Sequence, residues 1–414
     1  SMKNAFLSEM NSRGFLNQCT DLEKLDKISK EKPIKAYIGF DSTAPSLHVG
    51  SLMQVMVLRL LQKHGHQPIV LLGGGTTLIG DPSGKDSTRK ILKHRDINKN
   101  IVSIKKIFEK LLPSKNKKTK PVFVDNYSWL GKLKYIDFLR DVGKHFTINK
   151  MLTFDSVKLR LDRQQSLSYM EFNYMILQAY DFYQLFKEHK CILQMGGSDQ
   201  WGNIVNGVEL IRRVLQKEAF GVTTPLITLS SGAKMGKTEK GAVWLDKKMF
   251  SPYDYWQFWR NTADEDVKKF LKYFTEINVE ELSSKIDNEK DINKLKILLA
   301  NEATTILHGS KAAKESEETA KATFIEGGIG KNIPEKKVSK ELISKGISIL
   351  DLVFENGLTS SKSDARRILK NRGIKINDEV VNDEKKVISL NEFSKNHYIK
   401  LSVGKKTHLK VTIT

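Results

Sequence analysis

Two short segments of this 414-residue chain carry residues that suit binding of a nucleotide triphosphate. His48-Val-Gly-Ser51 precedes a long apolar helix, so His48 is expected at a helix N-terminus, where free backbone N–H groups and the helix dipole favour phosphate. Its imidazole can donate a hydrogen bond as charge builds on the phosphate, and Gly50 lets a nucleotide approach the backbone. Lys234-Met-Gly-Lys-Thr238 lies in a basic, glycine-flanked loop, whose lysines can close over a triphosphate and neutralise departing pyrophosphate. Each segment alone is also compatible with an ordinary surface loop.

A predicted buried helix over residues 167–189 carries a polar stripe. Most of its residues are aromatic or aliphatic, yet Tyr174, Gln178 and Asp181 fall within about 60° of one another at 100° per residue. A buried carboxylate or amide is costly without hydrogen-bond partners. The stripe therefore requires either a polar ligand or a satisfied structural network, and the residues alone leave both open.

Further polar residues follow glycine-rich stretches. The run from Gly75 to Asp81 nearly matches a phosphate-binding P-loop, but Asp81 stands where the lysine must be, so this reading is excluded and an ammonium group suits the carboxylate better. Lys85 and Arg89 could meet phosphates or lie on the surface. The segment Gly196-Gly-Ser-Asp-Gln200 follows an apolar run, and an acidic residue at such a strand end commonly meets ribose hydroxyls.

The elements that must position these residues form a strand–helix–strand unit. Residues 36–40 and 68–72 are predicted strands, and residues 51–63 between them form an apolar helix. Such a unit is a right-handed parallel crossover, with ligands at the carboxyl ends of its strands. Residues 41–51 and the glycines 73–75 are expected at that edge.

We therefore predict an α/β fold with four segments. A Rossmann-like parallel-sheet catalytic domain spans residues 1–245, with a helical insertion at about 125–165. An all-α domain is expected over 246–328, a linker over 329–345 and a small α+β domain over 346–414.

Composition narrows the class of protein. The net charge of +21 favours a polyanionic partner over a merely solvated lysine-rich surface, and residues 331–414 hold 18 Lys and Arg against 10 Asp and Glu. No apolar run approaches the roughly 18 residues that a membrane span needs. Cys19 and Cys191 lie far apart without a CxxC pair, which argues against a disulfide framework or zinc cluster and favours the cytoplasm.

Taken together, the motifs resemble those of class I aminoacyl-tRNA synthetases, and specifically the bacterial-type tyrosyl-tRNA synthetases. His48-Val-Gly-Ser51 resembles the HIGH signature, and Lys234-Met-Gly-Lys-Thr238 resembles KMSKS. Longer strings are similar in number, order and spacing across nearly the whole chain: Tyr37-Ile-Gly-Phe-Asp41, Leu78-Ile-Gly-Asp-Pro-Ser-Gly84, Leu177-Gln-Ala-Tyr-Asp181 and Gly196-Gly-Ser-Asp-Gln-Trp-Gly-Asn203. The resemblance implies activation of L-tyrosine by ATP to tyrosyl-adenylate and pyrophosphate, followed by transfer of the tyrosyl group to the 3′ end of tRNA(Tyr).

The resemblance also implies residue roles. For tyrosine, Tyr37 and Asp181 would bond the hydroxyl, Gln200 would lie near the carboxylate, and the ammonium group would be held by Asp81, Tyr174 and Gln178. The ATP site would comprise Asp41, His48, Gly50, Ser51, Gly197, Asp199, Lys234 and Lys237. Residues assisting the reaction of the phosphates would be Thr43, His48, Lys85, Arg89, Lys234 and Lys237.

Two positions depart from the family motifs. Ser51 replaces the second histidine of HIGH, and Gly236 replaces the central serine of KMSKS, which would make the loop more mobile. Both lysines remain, so we expect an active enzyme, with magnesium accompanying ATP and no metal bound by the protein itself. A homodimer is expected from the resemblance only.

The C-terminal segment resembles a small RNA-binding module first recognised in a ribosomal protein. A predicted helix capped by Ser361 and Asp364 carries basic residues suited to tRNA phosphates: Lys362, Arg366, Arg367, Lys370 and Arg372. A plain solvated cap is the alternative. Two rival functions also stay open here, namely a tryptophanyl relative with the same fold and a non-catalytic RNA-binding protein on a synthetase scaffold.

Overall fold

The computed structural model describes residues 5–81, 91–238, 241–324, 333–393 and 397–414. The chain divides into two compact units, Ser1–Gly309 and Ser310–Thr414. In the described part of the chain, no helix is both long enough and apolar enough to span a bilayer.

The first unit contains eight strands among the described residues: β1 (Gln18–Cys19), β2 (Lys35–Phe40), β3 (Gln67–Leu72), β4 (Val122–Asp125), β5 (Leu193–Gly197), β6 (Phe220–Thr224), β7 (Lys237–Thr238) and β8 (Gly241–Ala242). Its helices up to the sheet's last strand are α1 (Ala5–Arg13), α2 (Leu22–Glu31), α3 (Leu52–Lys63), α4 (Thr76–Ile79), α5 (His94–Leu111), α6 (Tyr127–Leu130), α7 (Tyr135–Asp141), α8 (Ile148–Met151), α9 (Asp155–Asp162), α10 (Tyr169–Phe172), α11 (Tyr174–His189) and α12 (Trp201–Leu215). The helices that follow are α13 (Pro252–Arg260), α14 (Asp264–Phe274), α15 (Val279–Asn288) and α16 (Ile292–His308).

The main sheet has the strand order β1-β6-β5-β2-β3-β4 among the described residues. All neighbours are parallel except β1, which runs antiparallel to β6. From β2 the chain builds outward through β3 and β4, then returns to the other side of β2 with β5. This reversal creates a crevice at the carboxyl ends of β2 and β5, the place where doubly wound sheets bind ligands. The predicted Rossmann-like fold is confirmed.

Helices α11 and α12 pack directly against one another beside this crevice. The packing is close because Gly207 of α12 faces Phe182, whose Cβ lies 3.0 Å from the position that a Cβ on Gly207 would take. The helix predicted over residues 167–189 is divided at Asn173 into α10 and α11. Ser168 caps α10 in a capping box with Glu171, and the Glu171 carboxylate forms a buried ion pair with Arg160 of α9 at 2.9 Å. These contacts join α10 to α9, and α11 packs on the region predicted as an insertion through a core that includes Met151, Val157 and Met175.

Four helices, α13 to α16, lie within residues 252–308, part of the segment predicted as an all-α domain, and Trp256 and Trp259 of α13 are fully buried. This helical region belongs to the same compact unit as the sheet. The boundary predicted at residue 246 therefore stays a prediction.

The second unit begins with α17 (Ser310–Phe324) and continues with α18 (Lys340–Ser344), α19 (Ile349–Glu355), α20 (Lys362–Lys370) and the strands β9 (Glu335–Val338), β10 (Ile347–Ser348), β11 (Ile374–Ile376), β12 (Glu379–Val380), β13 (Val387–Ile388), β14 (Tyr398–Val403) and β15 (Thr407–Ile413). A sheet of order β12-β11-β14-β15-β9 packs against α19 and α20 through a core that includes Leu352, Leu369 and Leu401.

Two local details of this unit differ from the sequence predictions. Strand β9 lies within residues 329–345, predicted as linker, and pairs in parallel with β15, so that part of the segment belongs to the sheet. Ser361 caps α20 by accepting from the Asp364 N–H at 2.9 Å, but the Asp364 carboxylate bonds Ser360 instead of completing a capping box.

Candidate active site

A cleft of about 650 Å³ opens at the crevice between β2 and β5. It collects residues from the strand ends, from the turn before α3, from α11 and from the basic loop. The predicted site residues that line it are Tyr37, Asp41, Thr43, His48, Gly50, Ser51, Asp81, Tyr174, Gln178, Asp181, Gly197, Asp199, Gln200 and Lys237. Segments spread over two hundred residues of sequence thus meet in one place, although their individual roles stay predictions.

His48 lies immediately before a short 3-10 turn, Val49–Ser51, that leads into α3. The Gly50 N–H donates a hydrogen bond to His48 Nδ1 at 2.9 Å, which sets the orientation of the ring. Ser51, which stands at the position of the second HIGH histidine, is half-buried and lines the cleft. His48 therefore lies at a helix N-terminus, as the sequence predicts. Phosphate binding at this end of the cleft stays a prediction.

Tyr37 and Asp181 form the deep end of the cleft. Both are buried, at 1% and 2% exposure, and Tyr37 Oη has no hydrogen-bond partner among the described residues. Burial raises the pKa of Tyr37 well above its ordinary value, and the nearby Asp181 carboxylate raises it further. Burial also raises the pKa of Asp181 to about 7. A buried donor beside a carboxylate suits a ligand that carries a hydroxyl group.

Two residues that the sequence analysis missed hold the Asp181 carboxylate. Asn126 Nδ2 donates to Oδ2 at 3.0 Å, and Trp129 Nε1 donates to Oδ1 at 2.7 Å. Both bonds favour the charged carboxylate and so oppose the rise of its pKa. Asn126 also accepts from the Gly75 N–H at 2.8 Å, which ties the glycine loop to the same carboxylate. Asn126 directly follows β4 and Trp129 lies in α6, the next helix, so the carboxyl end of a parallel strand is the signal that could have found them.

Amide side chains link the predicted ammonium site to the start of α12. Gln200 Nε2 donates to Asp81 Oδ2 at 2.9 Å, and Asn203 Nδ2 donates to Gln178 Oε1 at 2.8 Å. The pKa of Tyr174 lies well above its ordinary value because of burial, assisted by the carboxylate of Asp81. The sequence predicts separate roles for Asp81 and Gln200, whereas the structure bonds them to one another.

Gln194 of β5 is another residue that the sequence analysis missed. It lines the cleft at 2% exposure, and its Oε1 has no hydrogen-bond partner within the described ranges. The signal was an amide within an otherwise apolar strand. Three residues further on, a Cβ on Gly197 would lie 2.8 Å from Asp199 Oδ1, so a side chain there would displace that carboxylate.

Of the predicted phosphate-binding cations, Lys234 and Lys237 lie in the described part of the chain, and of these two only Lys237 lines the cleft. Lys85 and Arg89 lie outside the described residues. Lys234 is exposed and pairs through its backbone with Thr228, whereas Lys237 of the same loop lines the cleft. No group of three or more His, Cys, Asp or Glu side chains suited to a metal ion occurs in the described part of the chain.

Comparison with known proteins gives two family matches that together span most of the chain. The family described as "tRNA synthetases class I (W and Y)" matches residues 29–325. The family described as "Tyrosine--tRNA ligase SYY-like C-terminal domain" matches residues 325–411.

Full-length relatives agree with these matches. The chain is 63% identical over 412 residues to the tyrosine–tRNA ligase of Pelagibacter ubique (strain HTCC1062), covering 99% of this chain and 100% of that protein. It is 53% identical over 409 residues to the tyrosine–tRNA ligase of Rickettsia massiliae (strain Mtu5), again covering 99% and 100%. The crystal structure of a C-terminally truncated mitochondrial tyrosyl-tRNA synthetase from Aspergillus nidulans superposes with a TM-score of 0.70 at 30% identity, over 78% of this chain and 95% of that one.

The raised pKa of Asp181 predicts a specific pH dependence of stability without bound ligand. Because the folded-state pKa is about 7 and the ordinary value is 3.8, the native state binds this proton more tightly than the unfolded state does. Between these two values the carboxyl group makes the fold less stable as pH rises, by as much as about 4 kcal/mol in total. Asp181→Asn removes that dependence. The free energy of unfolding of the variant, minus that of the parent, should therefore increase as the pH rises from 4 to 7.

Urea unfolding at several pH values measures this difference. Asp287→Asn, on the exposed face of α15, controls for the loss of one negative charge. If the free energies of unfolding of parent and Asp181→Asn stayed parallel across this range, Asp181 would not titrate as assigned.

Proposed function

Because the chain belongs to the tyrosine–tRNA ligases of the class I aminoacyl-tRNA synthetase family, we propose that its sheet-edge cleft is where tyrosine and ATP react. The activity of this family is activation of tyrosine with ATP and charging of tRNA(Tyr), and it is the activity of this chain. The full-length relatives are tyrosine–tRNA ligases, which favours the tyrosyl function over the tryptophanyl alternative.

We assign the deep end of the cleft to the tyrosine side chain. The substrate hydroxyl would accept from Tyr37 Oη and donate to Asp181, which is the single observation that carries the assignment: a buried unpartnered donor beside a buried carboxylate. Phenylalanine would leave both groups buried without a partner, and discrimination between these two amino acids is the standard example of this rule in the family. The substrate ammonium group would meet Asp81, Tyr174 and Gln178, with Gln200 near the carboxylate.

The outer end of the cleft is assigned to ATP. Asp199 would bond the ribose, Gly50 and Gly197 would allow close approach of the nucleotide to the backbone, and Asp41 and Ser51 complete this wall. Thr43 and His48 would bind the phosphates. Lys237 of the basic loop lines the same cleft and would also contact them. Lys234, Lys85 and Arg89 are proposed on the pyrophosphate side.

The proposed chemistry needs no side-chain nucleophile or general base. The tyrosine carboxylate attacks the α-phosphate of ATP in line, the bond to the β-phosphate oxygen breaks, and pyrophosphate leaves. The protein contributes by holding the two substrates together and by placing hydrogen-bond donors where negative charge develops. Magnesium is proposed to arrive with ATP; the described carboxylates form no cluster that would hold the ion alone, so no step is assigned to it.

Tyr37→Phe tests the assignment of the hydroxyl site. The substitution removes one hydrogen bond at constant shape, so kcat/KM for tyrosine should fall by about 10- to 100-fold, whereas that for phenylalanine should not fall. Exchange of pyrophosphate with ATP, driven by tyrosine in one assay and by phenylalanine in the other, measures the two values. Tyr255→Phe is the matched control, because Tyr255 is equally buried but lies in α13, outside the cleft. Equal losses in the two variants would contradict the assignment.

We infer that the enzyme is a homodimer joined through its helical insertion. Helices α7, α8 and α9, with the residue after α8, expose several large apolar side chains, and clustered exposed apolar residues mark protein–protein interaction sites: Tyr135, Ile136, Leu139, Ile148, Leu152, Leu159 and Leu161. A second copy of this chain presents the same surface, and two such surfaces can bury one another about a two-fold axis.

A charged residue in this surface should separate the copies. Ile136 is 71% exposed, so Ile136→Asp leaves the fold intact but places two carboxylates in the proposed interface. Sedimentation should then change from a dimer to a monomer of 47.1 kDa. Val102→Asp, a 57% exposed site on α5, is the control and should remain dimeric. A parent chain that is monomeric at working concentrations rules out the inference.

We propose that α20 and Arg372, two residues after its end, contact tRNA. Three of its basic residues are already paired with carboxylates: Lys362 with Asp351, Arg366 with Glu384 and Arg367 with Asp364. Lys370 and Arg372 have no ion pair within the described residues, so they can bind phosphates without first breaking one. We therefore expect these two to contribute more to RNA affinity than the paired cations do.

Salt-dependent filter binding of tRNA(Tyr) tests this order. The double substitution Lys370→Ala and Arg372→Ala should lower affinity and reduce the slope of log affinity against log salt by about 1 to 2. The matched pair Lys362→Ala and Arg366→Ala should change both less. Pyrophosphate exchange should be unchanged in all variants, since activation of tyrosine does not need tRNA. Equal effects of the two double substitutions would refute the proposed order.

We also propose a cytoplasmic location. Cys19 and Cys191 are both free thiols, which suits a reducing compartment.

A further inference from the structure

The basic loop packs directly onto the imidazole of His48. Gly236 of this loop is buried and has a φ of +97°, in the region that favours glycine. A Cβ on Gly236 would lie 2.7 Å from His48 Nδ1 and 3.0 Å from the backbone nitrogen of Gly50. A Cβ on Gly50 would lie 2.4 Å from His48 Cε1. Two glycines from distant parts of the sequence therefore enclose the ring, and neither position has room for a side chain.

The same contact determines which ring nitrogen carries the proton. Because the Gly50 N–H donates to Nδ1, this nitrogen must present its lone pair, and the neutral ring then carries its hydrogen on Nε2. Nε2–H is a hydrogen-bond donor and suits a phosphate oxygen. A ring protonated on Nδ1 would lose the bond from Gly50.

Backbone hydrogen bonds connect the loop to the segment that carries His48. The Val243 N–H donates to the Gly236 carbonyl at 2.9 Å, and the Val49 N–H donates to the Val243 carbonyl at 3.0 Å. His48 itself pairs through its backbone with Trp244, whose ring meets the imidazole edge-on with centroids 6.1 Å apart. The loop and His48 are thus parts of one hydrogen-bonded unit, and displacement of one strains the other.

We propose that Gly236 is a positioning residue, which lets the basic loop close against His48 and keeps the imidazole in its Nε2–H form facing the phosphates. This inference rests on the proposed role of His48 in binding ATP. Lys237, the next residue, lines the cleft, so a shift of Gly236 away from the ring would displace Lys237 as well. A side chain at position 236 forces either the ring or the loop to move, so the orientation of His48 and the approach of Lys237 are lost together.

The test compares Gly236→Ala with Gly232→Ala. Both glycines have a positive φ, of +97° and +82°, and both lie in the same loop, but a Cβ on Gly232 meets nothing within 4 Å. The pair therefore separates backbone strain from contact with His48. After titration of active sites, G236A should lower kcat for pyrophosphate exchange by at least about 10-fold, with KM for tyrosine unchanged. G232A should stay within about threefold of the parent. Equal activities of the two variants would overturn the proposal.

A double-mutant cycle with His48→Ala assigns the effect to the ring. Once the imidazole is removed, the extra cost of G236A over G232A, in activity and in thermal stability, should shrink to what the 3.0 Å approach to the Gly50 nitrogen leaves. If G236A alone unfolds at a lower temperature than G232A, His48→Ala must restore most of that difference; an undiminished difference would count against the contact with the ring. The single variant H48A distinguishes failure of the proposed function from failure of the proposed positioning role. If H48A has parental exchange activity, His48 has no role in the reaction. A large loss in H48A combined with a harmless G236A refutes only the positioning role.

Discussion

The structure of the cleft depends on one buried carboxylate. Asp181 is nearly inaccessible to water, and a charge in such a place is tolerated only when hydrogen-bond donors surround it. Asn126 and Trp129 provide these donors from the start of the helical insertion, and Asn126 at the same time holds the loop after β3. The sheet edge, the insertion and α11 therefore adopt one arrangement, since any other leaves the carboxylate or its donors buried without partners.

This constraint explains how much of the site could be predicted from the sequence. Strand–helix–strand order placed the residues after β2 at the sheet edge, and helical periodicity placed Tyr174, Gln178 and Asp181 on one face of α11. Both rules are local and depend on a single element. They establish that a polar stripe needs partners but contain no information about which other segment supplies them, so Asn126, Trp129 and Gln194 were missed.

Contacts between distant segments account for the other differences. The bond between Gln200 and Asp81 joins residues 119 positions apart, and no spacing rule relates them. The pairing of β9 with β15 is set by an available sheet edge, whereas the composition around residue 330 resembles a linker. Gly236 offers the same lesson, because from sequence a glycine in a basic loop suggests mobility. In the fold it permits a contact with His48 that any side chain would prevent.

The negative and the positive charges of the cleft lie on different kinds of segment. The ends of β2 and β5 and helix α11 contribute the carboxylates of Asp41, Asp199 and Asp181, and the segment after α4 contributes that of Asp81, which Gln200 holds. Among the described lining residues, Lys237 is the one lysine or arginine. Carboxylates on rigid elements suit the hydroxyl, ammonium and ribose groups, which are present before the reaction and change little during it. Pyrophosphate gains negative charge only as the bond breaks, so a cation that acts on it stabilises the transition state more than the bound substrates. A chain with a net charge of +21 thus keeps the cleft proposed for the reaction acidic and brings positive charge to it on a loop that packs against His48.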